Sequence, residues 1–281
     1  MNIQWYPGHM KKAWDMVQSH LRLVDVALEL RDARAPLASE NPKFAQLLQG
    51  KKRLLLLNKA DLADPSVNRE WVEHFRATGL ETLTFNAKSD DTDELIARIM
   101  KEGAFVHEKN RRQGRKPRPI RLMVIGVPNV GKSSLINRLV GRTTSRIEDR
   151  PGVTRGKQWV RLRKDLELFD TPGILWPKFV DQKKATHLAF LGSINDLILD
   201  MSQLAMELIE TLRVLYPGAL NRRYDVAETG YAQEIFEEIG RRRGAILSGD
   251  RIDYERTAVL LLDEFRSARI GRISLERPTE S

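Results

Sequence analysis

Residues 122–133 read Leu122-Met123-Val124-Ile125-Gly126-Val127-Pro128-Asn129-Val130-Gly131-Lys132-Ser133. An apolar strand, expected over Ile120–Ile125, runs into Gly-x-x-x-x-Gly-Lys-Ser, and the pattern predicts a helix over 132–140. The glycines let backbone N–H groups turn toward phosphate oxygens, and the helix N-terminus adds favourable positive potential. Lys132 is expected to reach the β- and γ-phosphates of a nucleoside triphosphate, with Val130, Gly131 and Ser134 around it. The Ser133 hydroxyl is the expected Mg²⁺ ligand.

Downstream, the strand Leu166–Phe169 ends in Asp170-Thr171-Pro172-Gly173. Asp170 is placed to hold Mg²⁺ through water, and the Gly173 N–H to sense the γ-phosphate. Between the two motifs lies Arg150-Pro151-Gly152-Val153-Thr154-Arg155. A threonine in such a loop completes Mg²⁺ coordination when the γ-phosphate is present and releases after hydrolysis, which assigns Thr154.

Upstream, Asn58-Lys59-Ala60-Asp61 follows the apolar strand Arg53–Leu57. The Asp61 carboxylate can accept from guanine N1–H and the exocyclic amine, whereas adenine would face it with an unprotonated N1. Asn58 is expected to brace the loop and the Lys59 stem to cover the base. Asn86-Ala87-Lys88 follows the next strand, Thr82–Phe85, where backbone N–H groups of Ala87 and Lys88 are expected to meet guanine O6.

Strands are also expected over Val24–Leu30 and Lys157–Arg163, and helices near 9–20, 41–49, 66–78 and 92–101. This α/β alternation implies a mainly parallel sheet covered on both faces. Rotating the chain to begin at Ile120 gives the strand order of a Ras-like P-loop GTPase domain. The chain therefore resembles a circularly permuted one, with a six-stranded, mostly parallel sheet. Permuted chains remain foldable because termini often lie close together.

Residues 102–119 hold Lys109, Arg111, Arg112, Arg115, Lys116 and Arg118 with two prolines and Gly114, and read as a basic linker. From about 178 the pattern turns helical. Met201, Leu204, Leu208, Leu212 and Leu215 recur before Pro217-Gly218, and Ala258, Leu261, Leu262 and Phe265 recur with Asp253 as N-cap and Gly271 as stop. The expected organisation is a permuted domain over 1–177 and an all-α domain over 178–281.

The 281 residues include 47 Lys and Arg against 38 Asp and Glu, a net charge of +9 that favours a polyanionic partner. With no cysteine there is no disulfide or thiolate zinc site. No apolar stretch reaches the ~18 residues of a membrane span, and no signal segment opens the chain, so a cytoplasmic protein without membrane contact is expected.

Ras-like enzymes place a glutamine after Asp-x-x-Gly to orient the attacking water. Here that position is Ile174, which cannot hydrogen-bond. His9, in Trp5-Tyr6-Pro7-Gly8-His9-Met10, is the best candidate in its place. The permuted order, together with Trp5–Met10, Asp32-Ala33-Arg34-x-Pro36, Gly126–Ser134 and Asp170–Lys178, closely resembles the bacterial ribosome biogenesis GTPase A family (RbgA, also called YlqF). The resemblance implies a GTP-hydrolysing assembly factor for the large (50S) ribosomal subunit, acting late and stimulated by the particle. It implies that His9 is catalytic and that Asn129 helps bind K⁺ beside the phosphates.

The candidate phosphate contacts to ribosomal RNA are Arg222, Arg223, Arg241, Arg242, Arg243, Arg266, Arg269 and Arg272. A nucleotide-dependent RNA-binding module with incidental hydrolysis is the alternative. The expected cofactors are GTP or GDP, Mg²⁺ and K⁺, and the expected oligomeric state is a monomer.

Overall fold

The structure, a computed structural model, describes residues 8–144, 159–169 and 181–278, together with Ile3 and Leu175. In chain order the elements of the first part are α1 Gly8–Leu21, β1 Val26–Asp32, α2 Pro42–Leu47, β2 Lys52–Asn58, α3 Pro65–Ala77, β3 Thr82–Phe85, α4 Asp93–Arg112, β4 Ile120–Gly126, α5 Lys132–Thr144, β5 Trp159–Arg163 and β6 Leu166–Phe169. Asn41 and Asp64 cap α2 and α3 by accepting from Lys43 N and Ser66 N, with proline in each first turn.

The described strands form one sheet in the order β3-β2-β1-β4-β6-β5, parallel except for β5 against β6. The phosphate-loop strand β4 is central, beside β1. That neighbour relation is what a Ras-like sheet requires once the chain is rotated to start at Ile120. Every residue of β1 is buried, as expected of a parallel strand with helices on both faces. The burial includes Glu29 and Arg31, which pair at 2.8 Å, while Arg53 reaches Glu29 at 2.6 Å. Burial alone would raise the Glu29 carboxyl, but the Arg31 and Arg53 guanidiniums outweigh it and hold it below its ordinary value.

The linker reading needs correction. Helix α4 does not stop near 101 but runs to Arg112, so only 113–119 connects it to β4. The apolar side of the helix continues through Ile99, Gly103 and Val106, all buried. Gly103 is the closest approach: a Cβ there would lie 2.6 Å from Ile120, so the helix seats on the first residue of β4 only without a side chain. Basic residues on the exposed side masked that period in the composition.

The second part holds α6 Gln182–Phe190, α7 Met201–Leu215, α8 Ala219–Tyr224, α9 Ala232–Arg242, the two-residue strands β7 Ile246–Leu247 and β8 Arg251–Ile252, and α10 Tyr254–Arg266. Leu204, Leu208, Leu212, Ala258, Leu261, Leu262 and Phe265 are buried, as their spacing predicts. Asp253 caps α10 by accepting from Arg256 N. The helix ends at Arg266 rather than at Gly271, because Ala268 already adopts left-handed backbone at φ 57. The hairpin is a small addition to an otherwise helical region.

The region does not stand apart from the sheet. Its last residues return to it: Ile273 N donates to Leu62 O at 3.2 Å, Leu275 N to Arg34 O at 2.7 Å, and Trp71 Nε1 to Glu276 O at 3.1 Å. Among the described residues no helix is long and apolar enough to cross a membrane.

Candidate nucleotide site

Three loops leave the C-terminal ends of β4, β2 and β3, the edge where open α/β sheets bind ligands. Asn58, the last residue of β2 and 1% exposed, ties them together. Its Nδ2 donates to Val130 O at 2.7 Å and its Oδ1 accepts from Ala87 N at 3.1 Å. Gly131, at φ 100, leaves room for that amide; a Cβ there would lie 2.2 Å from Asn58 Nδ2. The bracing role expected of Asn58 is thus built from one buried side chain.

Lys59 has left-handed backbone at φ 59, and its Nζ donates to Asn129 O at 2.6 Å. The same Nζ lies 3.1 Å from Asp32 Oδ2. Its stem therefore bridges the base loop and the phosphate loop. Asp61 sits in the single turn Ala60–Leu62, half-buried, and no described residue hydrogen-bonds its carboxylate. That leaves both oxygens to accept from a base edge.

In the third loop Asn86 Oδ1 accepts from Lys88 N at 2.9 Å and Asp90 Oδ2 accepts from Asn86 N at 2.8 Å. Both amides expected to meet guanine O6 are thus engaged by side chains, Ala87 N by Asn58 and Lys88 N by Asn86. A base oxygen there would share them in three-centre bonds.

Lys132 is 7% exposed and folds onto its own loop, with Nζ donating to Val127 O at 2.8 Å and Gly126 O at 3.1 Å. Ser133 and Ser134 are exposed or nearly so in the first turn of α5. A Mg²⁺ held chiefly by phosphate oxygens and waters needs only one or two protein oxygens, and the Ser133 hydroxyl fits that demand. Thr154, Asp170 and Gly173 lie outside the described residues. The backbone of His9 belongs to α1, but its side chain is likewise outside them.

Asn129 has left-handed backbone at φ 57, and its Nδ2 donates to Gly192 O, just beyond α6, at 2.6 Å. The side chain to which the family resemblance gives a K⁺ role thus touches the helical region.

The chain is 43% identical to ribosome biogenesis GTPase A of Bacillus pumilus over 282 aligned residues, covering 99% of each. The chain belongs to the ribosome biogenesis GTPase A family. The Thermotoga maritima member is 32% identical, with 99% of this chain and 95% of the relative covered. Two solved structures are similar, one of GDP-bound YlqF (TM-score 0.69, 29% identity, 94% of this chain and 100% of the other) and one of GNP-bound YlqF from Thermotoga maritima (TM-score 0.70, 29% identity, 96% and 100%). Residues 121–222 also match the family described as 50S ribosome-binding GTPase, which takes in the phosphate-loop half and not the upstream base loops. As a member of ribosome biogenesis GTPase A, the protein is a circularly permuted GTPase that binds and hydrolyses GTP.

Two supports of this family site were not read from sequence. Arg138, on α5, donates to Asp90 O at 2.7 Å, Lys88 O at 3.0 Å and Ser89 O at 2.6 Å, fixing the third loop to the helix that follows the phosphate loop. Asp32 and Arg34, both 1% exposed, form a fork at 2.9 Å on each arm. Burial would raise the Asp32 carboxyl, but Arg34 first and then Lys59 bring it well below the usual carboxylate range. Asp32 thereby holds Lys59 in place. The Asp-Ala-Arg-x-Pro motif had marked these residues without giving them a task.

The proposed RNA-contacting arginines divide. Arg223 pairs with Glu264 at 2.7 Å, Arg242 with Asp225 at 2.7 Å, Arg266 with Asp196 at 2.7 Å, and Arg241 and Arg243 approach carboxylates at 3.8 Å. Arg222, Arg269 and Arg272 have no carboxylate partner among the described residues.

Proposed function

We propose that this GTPase is an assembly factor for the large ribosomal subunit, acting late in maturation in the cytoplasm as a monomer, with turnover accelerated by the particle and ribosomal RNA among its contacts. The observation that carries the reading is the joining of phosphate loop and base loops through Asn58, in a chain that matches ribosome biogenesis GTPase A along its full length. Residues 1–177 form the GTPase part and 178–281 the part that meets RNA, with Arg222, Arg269 and Arg272 those of its proposed contacts that have no carboxylate partner among the described residues.

In this reading Asn58, Lys59, Asp61, Asn86, Ala87 and Lys88 receive the base, and Asn129, Val130, Gly131, Lys132, Ser133 and Ser134 receive the phosphates. Ser133, Thr154 and Asp170 hold Mg²⁺, which neutralises phosphate charge, and Gly173 senses the γ-phosphate. Asn129 Oδ1 remains an acceptor while Nδ2 is on Gly192, so the amide can meet K⁺ without leaving the helical region. His9 acts on the attacking water in place of a glutamine, as base or as orienter, and proton transfer by a general base is worth about 10²–10⁴ in rate.

The test is co-sedimentation with isolated 50S and 30S particles, with a GTP analogue or GDP, while following phosphate release. Binding and stimulation by 50S alone are expected, and His9→Ala should keep binding while losing stimulated turnover. Equal behaviour with 30S particles, or full stimulated turnover in the variant, would overturn the corresponding part.

A further inference from the structure

The end of α4 and the turn after it hold cations that nothing in the nucleotide site uses. The turn is a built feature. Gln113 N donates to Lys109 O at 3.1 Å, Gly114 N to Arg111 O at 3.2 Å and Arg115 N to Asn110 O at 2.9 Å, with Gly114 at φ 62. This is the backbone pattern that closes a helix on a left-handed glycine. Beyond it, Arg118 grips Asp25 with both terminal nitrogens at 2.7 and 2.8 Å, and Asp25 also accepts from Arg121 N at 2.9 Å. The segment is thus fastened at both ends and presents its side chains from a fixed platform.

Lys109, Arg111, Arg115 and Lys116 are all exposed on that platform, and none has a carboxylate partner among the described residues. The neighbours are neutralised: Arg112 pairs with Glu108 and Arg118 with Asp25. In the helical region Arg223, Arg242 and Arg266 are paired as well. A helix C-terminus favours cations, and that accounts for Lys109 and Arg111 in the last turn. It does not account for Arg115 and Lys116, which lie past the cap.

We infer that Lys109, Arg111, Arg115 and Lys116 form a second anion-binding surface of the GTPase part, taking the phosphate backbone of RNA. This rests on the assembly-factor reading for the source of the RNA. Dense, regularly spaced phosphates match unpaired cations on a fastened turn, and four exposed cations within eight residues favour RNA over an acidic protein. Phe105, 40% exposed and one helical turn before Lys109, adds a ring on which an unpaired base can stack. The surface is remote from the nucleotide: β4 leads from Ile120 beside the turn to Gly126 at the phosphate loop, a run of roughly 20 Å at strand rise. It contacts RNA at the end of the sheet opposite GTP.

The test combines Lys109→Ala, Arg111→Ala, Arg115→Ala and Lys116→Ala in the full chain. Binding to 50S precursor particles and to protein-free large-subunit RNA is measured across a salt series, alongside basal GTP hydrolysis. Basal hydrolysis is expected to stay unchanged, which also reports folding. The slope of log affinity against log salt should fall by roughly 2 to 4, close to one for each phosphate no longer neutralised, on particles and on bare RNA. An unchanged slope on both would overturn the surface. A loss on particles with none on bare RNA would assign it to an acidic protein instead and overturn the RNA partner. Failure of the unaltered chain to bind particles would sink the assembly-factor reading, and the bare-RNA arm would still decide this one.

Discussion

Asn129 and Gly192 are joined by a 2.6 Å hydrogen bond that carries the phosphate loop directly onto the helical region. It belongs to a longer circuit. Lys59 holds Asn129 O and Asp32, Asp32 forks with Arg34, and Arg34 donates to Arg266 O at 3.2 Å. Arg266 in turn donates to Phe190 O and Ala189 O at 3.0 Å each, just before Gly192. Along the chain, β6 leads to α6 through residues 170–181, of which Leu175 and Asp181 are described. The described link runs through side chains.

The first prediction concerns that bond. Asn129→Ala removes an interaction worth about 1 kcal/mol, so amides of residues 188–194 should exchange hydrogen roughly fivefold faster. Hydrogen-exchange mass spectrometry reads this directly. Unchanged exchange there would mean the bond contributes nothing to docking the helical region.

The second prediction is that Arg34→Ala destabilises the fold by about 2–3 kcal/mol in urea unfolding, because the buried Asp32 carboxylate loses both arms of the guanidinium fork and keeps only Lys59 and the backbone N–H of residue 34. The pH dependence follows from the same pair. The folded Asp32 carboxyl lies well below its unfolded value of about 3.9, so its stabilisation is complete above that pH and drains away as pH falls toward the folded value. In Asp32→Asn the loss of stability below about pH 4 should be shallower. Glu29, lowered in the same direction, keeps some of that limb in place.

The third prediction tests the base loop. Asp61→Asn replaces two acceptors by an acceptor and a donor, which clashes with the guanine 2-amine and suits the 2-carbonyl of xanthine. GTP affinity should fall by roughly 10²-fold, from a lost charged hydrogen bond and a buried mismatch, while XTP affinity rises. Titration with fluorescent GTP and XTP gives both numbers. Equal weakening toward both bases would mean residue 61 does not read that edge.

What was legible in the sequence was local. Gly126–Ser133 and Asn58–Asp61 carry their backbone requirements in their own residues, and strands such as Leu54–Leu57 are continuous apolar runs. What was not legible depends on partners distant in sequence. The added turns of α4 become visible only when Gly103 is seated against Ile120. The exposed appearance of Arg223 and Arg266 dissolves once Glu264 and Asp196 are brought beside them. The sequence named both sets of cations, in the helical region and around Gly114, but the carboxylates that sort paired from unpaired ones are distant in the chain.

The last prediction concerns the returning tail. Glu276 accepts from Leu37 N at 2.7 Å and Ala38 N at 3.1 Å, and it also meets His187 Nδ1 at 3.0 Å. One carboxylate thus closes the loop after the Asp32–Arg34 fork and joins it to α6. Glu276→Ala leaves two part-buried backbone donors without their acceptor, a cost of about 2 kcal/mol. For a chain of this size that corresponds to a fall in Tm of roughly 4–8 °C. Calorimetry measures it, and Glu276→Gln, which keeps an acceptor oxygen, should recover part of the stability. If both variants melt with the unaltered chain, the tail is held by its apolar residues Ile273 and Leu275 rather than by this carboxylate.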